Sequence, residues 1–362
     1  MKNNSISLLQ TSMIFMLSVG LLNHVIIIPM LLDKAQRDSW ISVLLAGGLF
    51  MIWVVLLYSA LGKNRDKHLF QWLKLTYGAT VSYFLAGLAC IYVFTLSTIT
   101  LKDTVTWIHL SFSTRTPTIV LAAALLVVCA YNAYKGIQSI ANTAAIFLPF
   151  VVLFGFYVMT ANYPNKDYSL LKPYLEFGMN PVWHGTIYVM SGLLELSLLL
   201  FIRQYIRKRI SFMSLVLLTL ILIGLTFGPL VGALIEFGPK HASHLRFPAY
   251  EEWRLVTIGH FIEHMDFLSI YQWFSGAFLR ISLTLFLIND ILNIKTKRKK
   301  TLFLFLICSI QLIVINLPFS DPKFVSLVSN ILLPGIFWGM SGYFLVIIGL
   351  IHFGYRWRRI ES

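Results

Sequence analysis

Apolar residues in this chain come in unbroken runs, neither alternating nor confined to one-sided helical stripes. Runs of roughly 18 residues or more recur from end to end, long enough to cross a hydrocarbon core as helices. They fall at about 8–32, 40–62, 79–110, 117–134, 138–160, 183–202, 211–236, 264–292, 301–319 and 329–353. Ten such segments predict an all-α polytopic membrane protein, and their continuity argues against the two-residue alternation of a membrane β-barrel. Short loops join most of them, so residues 1–362 read as a single integral membrane domain. Two connections are longer, Asn162–Pro181 and Phe237–His264. In the second, Pro248 followed by "AYEEWRLVTIGHFI" predicts a short helix with Trp253, Val256 and His260 on one face. "KNRDKHLFQWLKLTYG", after the second run, predicts an interfacial amphipathic segment.

The first and sixth runs share a motif. "SVGLLNH" (Ser18–His24) and "SGLLELS" (Ser191–Ser197) each place glycine and polar groups where hydrocarbon is expected. Ten spans divide into two sets of five, repeat one over about 8–160 and repeat two over about 183–353, and the motif falls in the first span of each. That pattern predicts a five-plus-five inverted repeat (LeuT-like) with broken helices one and six, their unwound backbone lining a midplane cavity. Half-helix ends suit a zwitterion, with N–H groups for its carboxylate and carbonyls or a carboxylate for its amine. Ser18, Gly20, Leu21, Asn23, Ser191, Gly192 and Glu195 are therefore candidate ligand-binding residues.

Only 12% of the 362 residues are charged and 57% are hydrophobic, with a mean hydropathy of +0.76. Most of the surface must face lipid. The net charge of +14 is distributed as topology signals. Of the loop and tail Lys and Arg, 18 fall on the side holding both termini and 9 on the other, which predicts cytoplasmic termini. Basic loops so placed meet anionic lipid, not nucleic acid. The first run reads as a retained helix, since "MKNNSISLLQ" carries little positive charge and no small-residue cleavage site precedes "DKAQRDS". Cys90, Cys129 and Cys308 lie inside spans and suggest no disulfide framework.

Charged residues inside spans carry the remaining chemistry. Glu195 is near mid-span and needs a cavity or a partner; it suits a ligand ammonium, a proton or a hydrogen-bond anchor for the helix break. Arg280 lies about 22 Å from the flank at Lys295 by helical rise, too deep to snorkel. It reads either as a built-in cation facing the carbonyls near Ser18 and Val19, or as a structural charge paired with Glu195 or another buried acid. Lys102 and Asp103 read as a gate or a local pair. Tyr92, Thr95 and Thr98 share that helix, and Thr95 and Thr98 are further candidates for lining the ligand cavity. "HFIEH" (His260–His264) matches an inverted zinc-protease pattern, but a third ligand is needed, and of the three acids downstream of Asp266 two, Asp290 and Glu361, fall on the opposite side of the membrane; the stretch reads as polar contact at the outer end of its span. No metal, cofactor or catalytic constellation is expected.

Several stretches resemble one family. "TRTP" (Thr114–Pro117), "YNAYKGIQSIANTAAIFLPF" (Tyr131–Phe150), the Gly192–Glu195 spacing and "FPAYEEWRLVTIGHFIEHMDFLSIYQWFSGAFLRISLTLF" (Phe247–Phe286), with Arg254, Trp273 and Arg280 at its marked positions, are similar to the spore-germination permeases. These are B subunits of nutrient-germinant receptors within the amino acid–polyamine–organocation transporter superfamily. "SVGLLN" departs from the Gly-x-Gly break frequent in that family. The resemblance implies a spore inner-membrane receptor subunit that senses a small nutrient such as an amino acid. Its implied partners are an A-type membrane subunit and a C-type lipoprotein. A proton-coupled amino-acid permease would need the same pocket. The charge asymmetry makes a direct prediction: cysteines placed at Lys295–Lys300 will resist an impermeant thiol reagent in intact cells, and labelling there would reverse the assigned topology.

Overall fold

The computed structural model of the chain describes residues 5–63, 68–257 and 264–358. The chain is almost wholly helical. Helix α1 (Leu8–Leu21) continues through a wide turn, Leu22–Ile26, into α2 (Ile27–Ala35), followed by α3 (Ser39–Leu61), α4 (Leu69–Tyr77), α5 (Ala79–Ser111), α6 (Thr118–Lys135) and α7 (Ile137–Ala161). Next, α8 (Met179–Leu193) tightens at Leu194–Leu198 before α9 (Leu199–Ile202), and α10 (Phe212–Phe237), α11 (Pro239–Ala242) and α12 (Pro248–Arg254) come after it. The last are α13 (Leu268–Ile291), α14 (Lys297–Ile315), α15 (Asp321–Leu327) and α16 (Leu333–Arg358).

Among the described residues, eight helical stretches are long and apolar enough to cross a membrane. The first, Leu8–Leu61, is 54 residues long. At 1.5 Å per residue it would span about 80 Å, against roughly 30 Å of hydrocarbon. The backbone redirects at Gln36 (φ 45°, ψ −127°) and the tight turn Gln36–Asp38, which separates α1–α2 from α3. Helix α14 stands outside the eight because it opens on four cations, Lys297 to Lys300.

Packing centres on α13, which touches α1, α5, α6 and α7, while α3 packs on α8 and α10. Glycine sets the closeness of these crossings, as in other membrane bundles. A Cβ at Gly276 on α13 would stand 3.0 Å from Leu21 Cβ, and one at Gly185 on α8 would stand 2.5 Å from Ser42 Oγ. Outward faces carry exposed Phe84 and Ile91 on α5 and Leu302 and Phe305 on α14, the apolar surface expected against lipid. Between α6 and α7 the chain turns at Gly136, whose φ of 99° suits a residue without a side chain.

Both ends of the motif-bearing helices are fastened. Ser7 caps α1 in a reciprocal pair with Gln10. Ile6 pairs in parallel with Ile206: its N–H donates to the Tyr205 carbonyl at 2.8 Å, and Arg207 N–H donates to the Ile6 carbonyl at 3.1 Å. Farther along, Asn23 lies against Gly192. The start of α1 thus meets the end of α9, and the two segments run antiparallel.

The expected unwinding at Gly20 and Gly192 is corrected here. Both glycines sit within helix, and the irregular turns begin at the second leucine of each motif, Leu22 and Leu194. One turn is wider than α and the other tighter, and the residues flanking both keep right-handed angles. Backbone polarity is therefore redirected over one turn rather than laid bare, because fully unpaired groups in a buried helix are too costly. The α12 helix stops at Arg254, shorter than expected, with Trp253 and Val256 buried; His260 and most of "HFIEH" lie outside the described residues. Helix α4 buries Leu69, Phe70, Trp72 and Leu73 and exposes Gln71, Lys74 and Leu75, the amphipathic split expected of it.

A methyl group added at Gly192 would overlap the Asn23 side-chain oxygen, whereas one at Gly20 would meet Leu225 Cδ1 at an ordinary 3.4 Å. Gly192→Ala is expected to cost about 1–3 kcal/mol through overpacking, with Gly20→Ala near wild type. Thermal melting of both variants in nanodiscs checks this, and equal melting would contradict the packing role of Gly192.

Candidate functional site

The site is built where α13 crosses the two irregular turns. Arg280, wholly buried on α13, donates from Nη1 to the Ser18 carbonyl at 2.9 Å and from Nη2 to Glu195 Oε1 at 2.5 Å. The Ser18 carbonyl is accessible for a local reason: where α1 gives way to the wide turn, the Leu22 N–H bonds to the Val19 carbonyl three residues back instead of to Ser18. Glu195 is the second residue of the tight turn and is 1% exposed. Desolvating each ion costs several kcal/mol, so the pair is sustained only by close, charge-assisted contact. An arginine suits the position because its planar fork addresses a carboxylate and a carbonyl together.

Around the pair lie polar side-chain atoms with no hydrogen-bond partner: Arg280 Nε, the Asn23 amide oxygen and nitrogen and the Tyr92 hydroxyl. Tyr92 interacts electrostatically with both Glu195 and Arg280. Ser197 accepts from Trp53 Nε1 at 2.8 Å, which fixes the far side of the tight turn. Above, Trp273 stacks on Trp107 with ring centroids 4.0 Å apart. The cluster is closed: entry of a solute requires side chains to move.

Of the residues expected to bind a ligand, the structure brings Ser18, Glu195 and Arg280 into direct contact, with Asn23 against Gly192. Leu21 packs on Gly276, and Gly20 faces Leu225. Ser191 Oγ bonds back to the Tyr188 carbonyl at 2.7 Å. Thr95 and Thr98 are placed apart. Their hydroxyls bond to the carbonyls of Ile91 and Phe94, and they line a separate cavity of about 210 Å³ with Lys102, Phe319 and Phe324.

Lys102 and Asp103 are not a local pair. Lys102 Nζ donates to the Ile315 carbonyl at 3.0 Å, whereas buried Asp103 accepts from Arg246 Nη2 at 2.6 Å. Arg246 also donates to Asp321 at 2.8 Å and lies over the Phe247 ring, so one loop arginine ties α5 to the start of α15. The two carboxylates hold Arg246 more firmly charged than usual despite burial. Sequence reasoning missed Arg246; its signal was Asp103, a carboxylate inside an apolar run that needed a cation.

Comparison with known proteins places the chain among relatives. The family model described as "Spore germination protein" matches residues 5–324. The chain is 43% identical to Spore germination protein XB of Bacillus anthracis over 329 residues, 91% of this chain and 92% of that protein. It is 26% identical to Spore germination protein KB of Bacillus subtilis (strain 168), covering 70% and 69% of the two chains. It is 23% identical to Spore germination protein A2 of the same organism, covering 65% of each. The chain belongs to the spore-germination permease family.

The geometry makes the charges of Arg280 and Glu195 interdependent. Arg280→Met is expected to cost about 3–5 kcal/mol by stranding a buried carboxylate. Adding Glu195→Gln should recover most but not all of this, because the Ser18 carbonyl stays unpaired. A double-mutant cycle on melting in nanodiscs measures the coupling; strictly additive losses would refute it.

Proposed function

We propose that this chain is the B-type membrane subunit of a spore nutrient-germinant receptor, and that it senses a small zwitterion such as an amino acid at the Arg280–Glu195 pair. The observation that carries the reading is this buried ion pair, which joins α13 to two irregular turns from the first and sixth apolar runs. A zwitterion brings opposite charges of its own. Its ammonium replaces Arg280 on Glu195 while its carboxylate takes the freed guanidinium. Both partners stay paired, and no net charge enters the low-dielectric core. Unpartnered Asn23 and Tyr92 add hydrogen bonds, and the Arg280–Glu195 contact between α13 and the tight turn is broken by the same event.

In this reading the chain holds ten membrane-spanning helices in a five-plus-five inverted repeat of the amino acid–polyamine–organocation type. The antiparallel course of α1 and α8–α9, with its repeated motif, supports it. Residues 8–160 and 183–353 form the repeats within one domain, and both termini face the cytoplasm from the spore inner membrane. Arg280 on the Ser18 carbonyl takes the place of a coupling cation, so ligand response needs no sodium. Signalling runs to an A-type membrane subunit and a C-type lipoprotein, and the subunit performs no catalysis.

Binding and uptake separate this from a proton-coupled permease. The chain purified in nanodiscs is expected to bind one or more of a panel of radiolabelled amino acids saturably, equally in sodium and choline. Glu195→Gln should weaken that binding about tenfold or more, the loss of a charged hydrogen bond. In proteoliposomes the same solute should not accumulate. Uptake driven by a proton gradient would favour the permease, and sodium-dependent binding would overturn the role given to Arg280.

A further inference from the structure

A second cluster of buried charge lies where α12 covers the end of α10. Glu236, on the last turn of α10, and Glu252, on α12, are both enclosed: the Glu236 side chain is 1% exposed and Glu252 as a whole 7%. A Cβ at Gly232, one turn before Glu236, would stand 3.1 Å from both Glu252 oxygens, so the Glu252 carboxylate lies on the helix face that Glu236 shares. The donors around them are few. Asn162 Nδ2 donates to Glu236 Oε2 at 3.3 Å and to the Glu252 backbone carbonyl at 2.7 Å. Lys166 Nζ donates to the Met159 carbonyl at 2.7 Å and stays 3.9 Å from Glu236 Oε1, a loose Coulomb contact. Glu252 Oε1 and Asn162 Oδ1, buried in the same cluster, have no partner.

Other charged groups nearby are engaged elsewhere. On α12 itself Glu251 pairs with Arg254 at 2.9 Å, and Tyr250 donates to Asp266. From α13, Gln272 accepts from Trp253. The wide turn presents His24, bonded to the Leu225 carbonyl. Asp167 accepts from the Ser169 N–H, and α7 presents the Tyr157 ring against Trp253. Two carboxylates and one loosely held ammonium therefore leave an excess negative charge in a site without water-like solvation.

We propose that Glu252 is a proton-binding site: it carries a proton, facing Glu236 and Asn162, that fastens α12 onto α10, and loss of that proton releases α12. One proton on Glu252 Oε1 turns an orphaned acceptor into a donor, with the Glu236 carboxylate and Asn162 Oδ1 as acceptors in reach of the cluster, and it cancels the excess charge. Burial, and next the neighbouring Glu236 charge, hold the Glu252 carboxyl well above the ordinary carboxylate range, with Lys166 and a backbone hydrogen bond from Ala233 offsetting only part. The sign follows from linkage. A carboxyl raised on folding stabilises fully below its unfolded pKa, about 4.3, and that contribution is lost as pH rises through the folded value.

The test uses the full chain in nanodiscs. Infrared spectra across pH 5 to 9 are expected to show a protonated-carboxyl band that vanishes as pH rises and is missing in Glu252→Gln. In hydrogen exchange, Pro248–Arg254 should lose protection at high pH in the wild type and keep it in Glu252→Gln, whose amide is a permanent donor. Glu236→Gln is the second variant; by leaving Glu252 alone with Lys166, it should move the band's loss to lower pH. Absence of a band sensitive to residue 252, or equal pH dependence of α12 in wild type and Glu252→Gln, overturns the proposal. Neither readout involves nutrient binding, so its failure is separate from failure of the receptor reading.

Discussion

A guanidinium that cannot lose its charge lies at the centre of this bundle, and the surrounding helices are arranged to satisfy it. Arg280 needs oxygen acceptors within about 3 Å, in a region from which water is excluded. One acceptor is a side chain, Glu195, and the other is the Ser18 carbonyl, bypassed where the Leu22 N–H bonds to Val19 at the junction of α1 and the wide turn. The irregular end of α1 and the arginine therefore support each other. With a regular bond from Leu22 the Ser18 carbonyl would be taken, and without the arginine it would lose its buried charged donor. The packing of α13 against both motif-bearing helices depends on this contact.

The same logic recurs toward the longer connections. Asp103, buried on α5, is met by Arg246 from a loop, and Arg246 is shared with Asp321. Each of these acids has an arginine that holds it with directed hydrogen bonds. Glu252 differs, since its nearest cation is a lysine already bonded to a carbonyl. Where an arginine is present the cluster is a fixed joint; where only a lysine stands by, the carboxylate must find its counter-charge elsewhere. Fixed joints and a titratable one thus coexist on helices that pack against each other.

Much of the architecture was legible because long apolar runs admit one solution in a bilayer. The runs at 79–110, 138–160 and 211–236 match α5, α7 and α10 to within a residue or two. The repeated Gly-Leu-Leu located both irregular turns, although not their form. The form of each turn depends on tertiary contacts that a one-dimensional motif does not carry, such as Asn23 against Gly192 and Ser197 against Trp53. Arg280 was readable from its depth, and both partners considered for it, the Ser18 carbonyl and Glu195, occupy its fork together. Thr95 and Thr98 line a cavity away from the Arg280–Glu195 pair, and which cavity they would face was not legible for a geometric reason. A 33-residue helix with polar groups on two faces does not reveal in one dimension which face turns inward. Arg246 was hidden because loop residues carry no periodicity to aim them.

The short backbone pairing of Ile6 with Ile206 gives α1 the mechanics of a lever. Its two hydrogen bonds pin one end of the helix to the segment that follows α9, so the first helix cannot slide along its axis without dragging that segment. It can still swing. From the pin to Asn23 is about 25 Å of helix, and at that radius a tilt of about five degrees carries Asn23 roughly 2 Å, enough to lift it off Gly192. A small angular displacement started at the arginine would thus reach the pinned end as a torque on residues 203–207, the segment that leads into the exposed cations Arg207, Lys208 and Arg209.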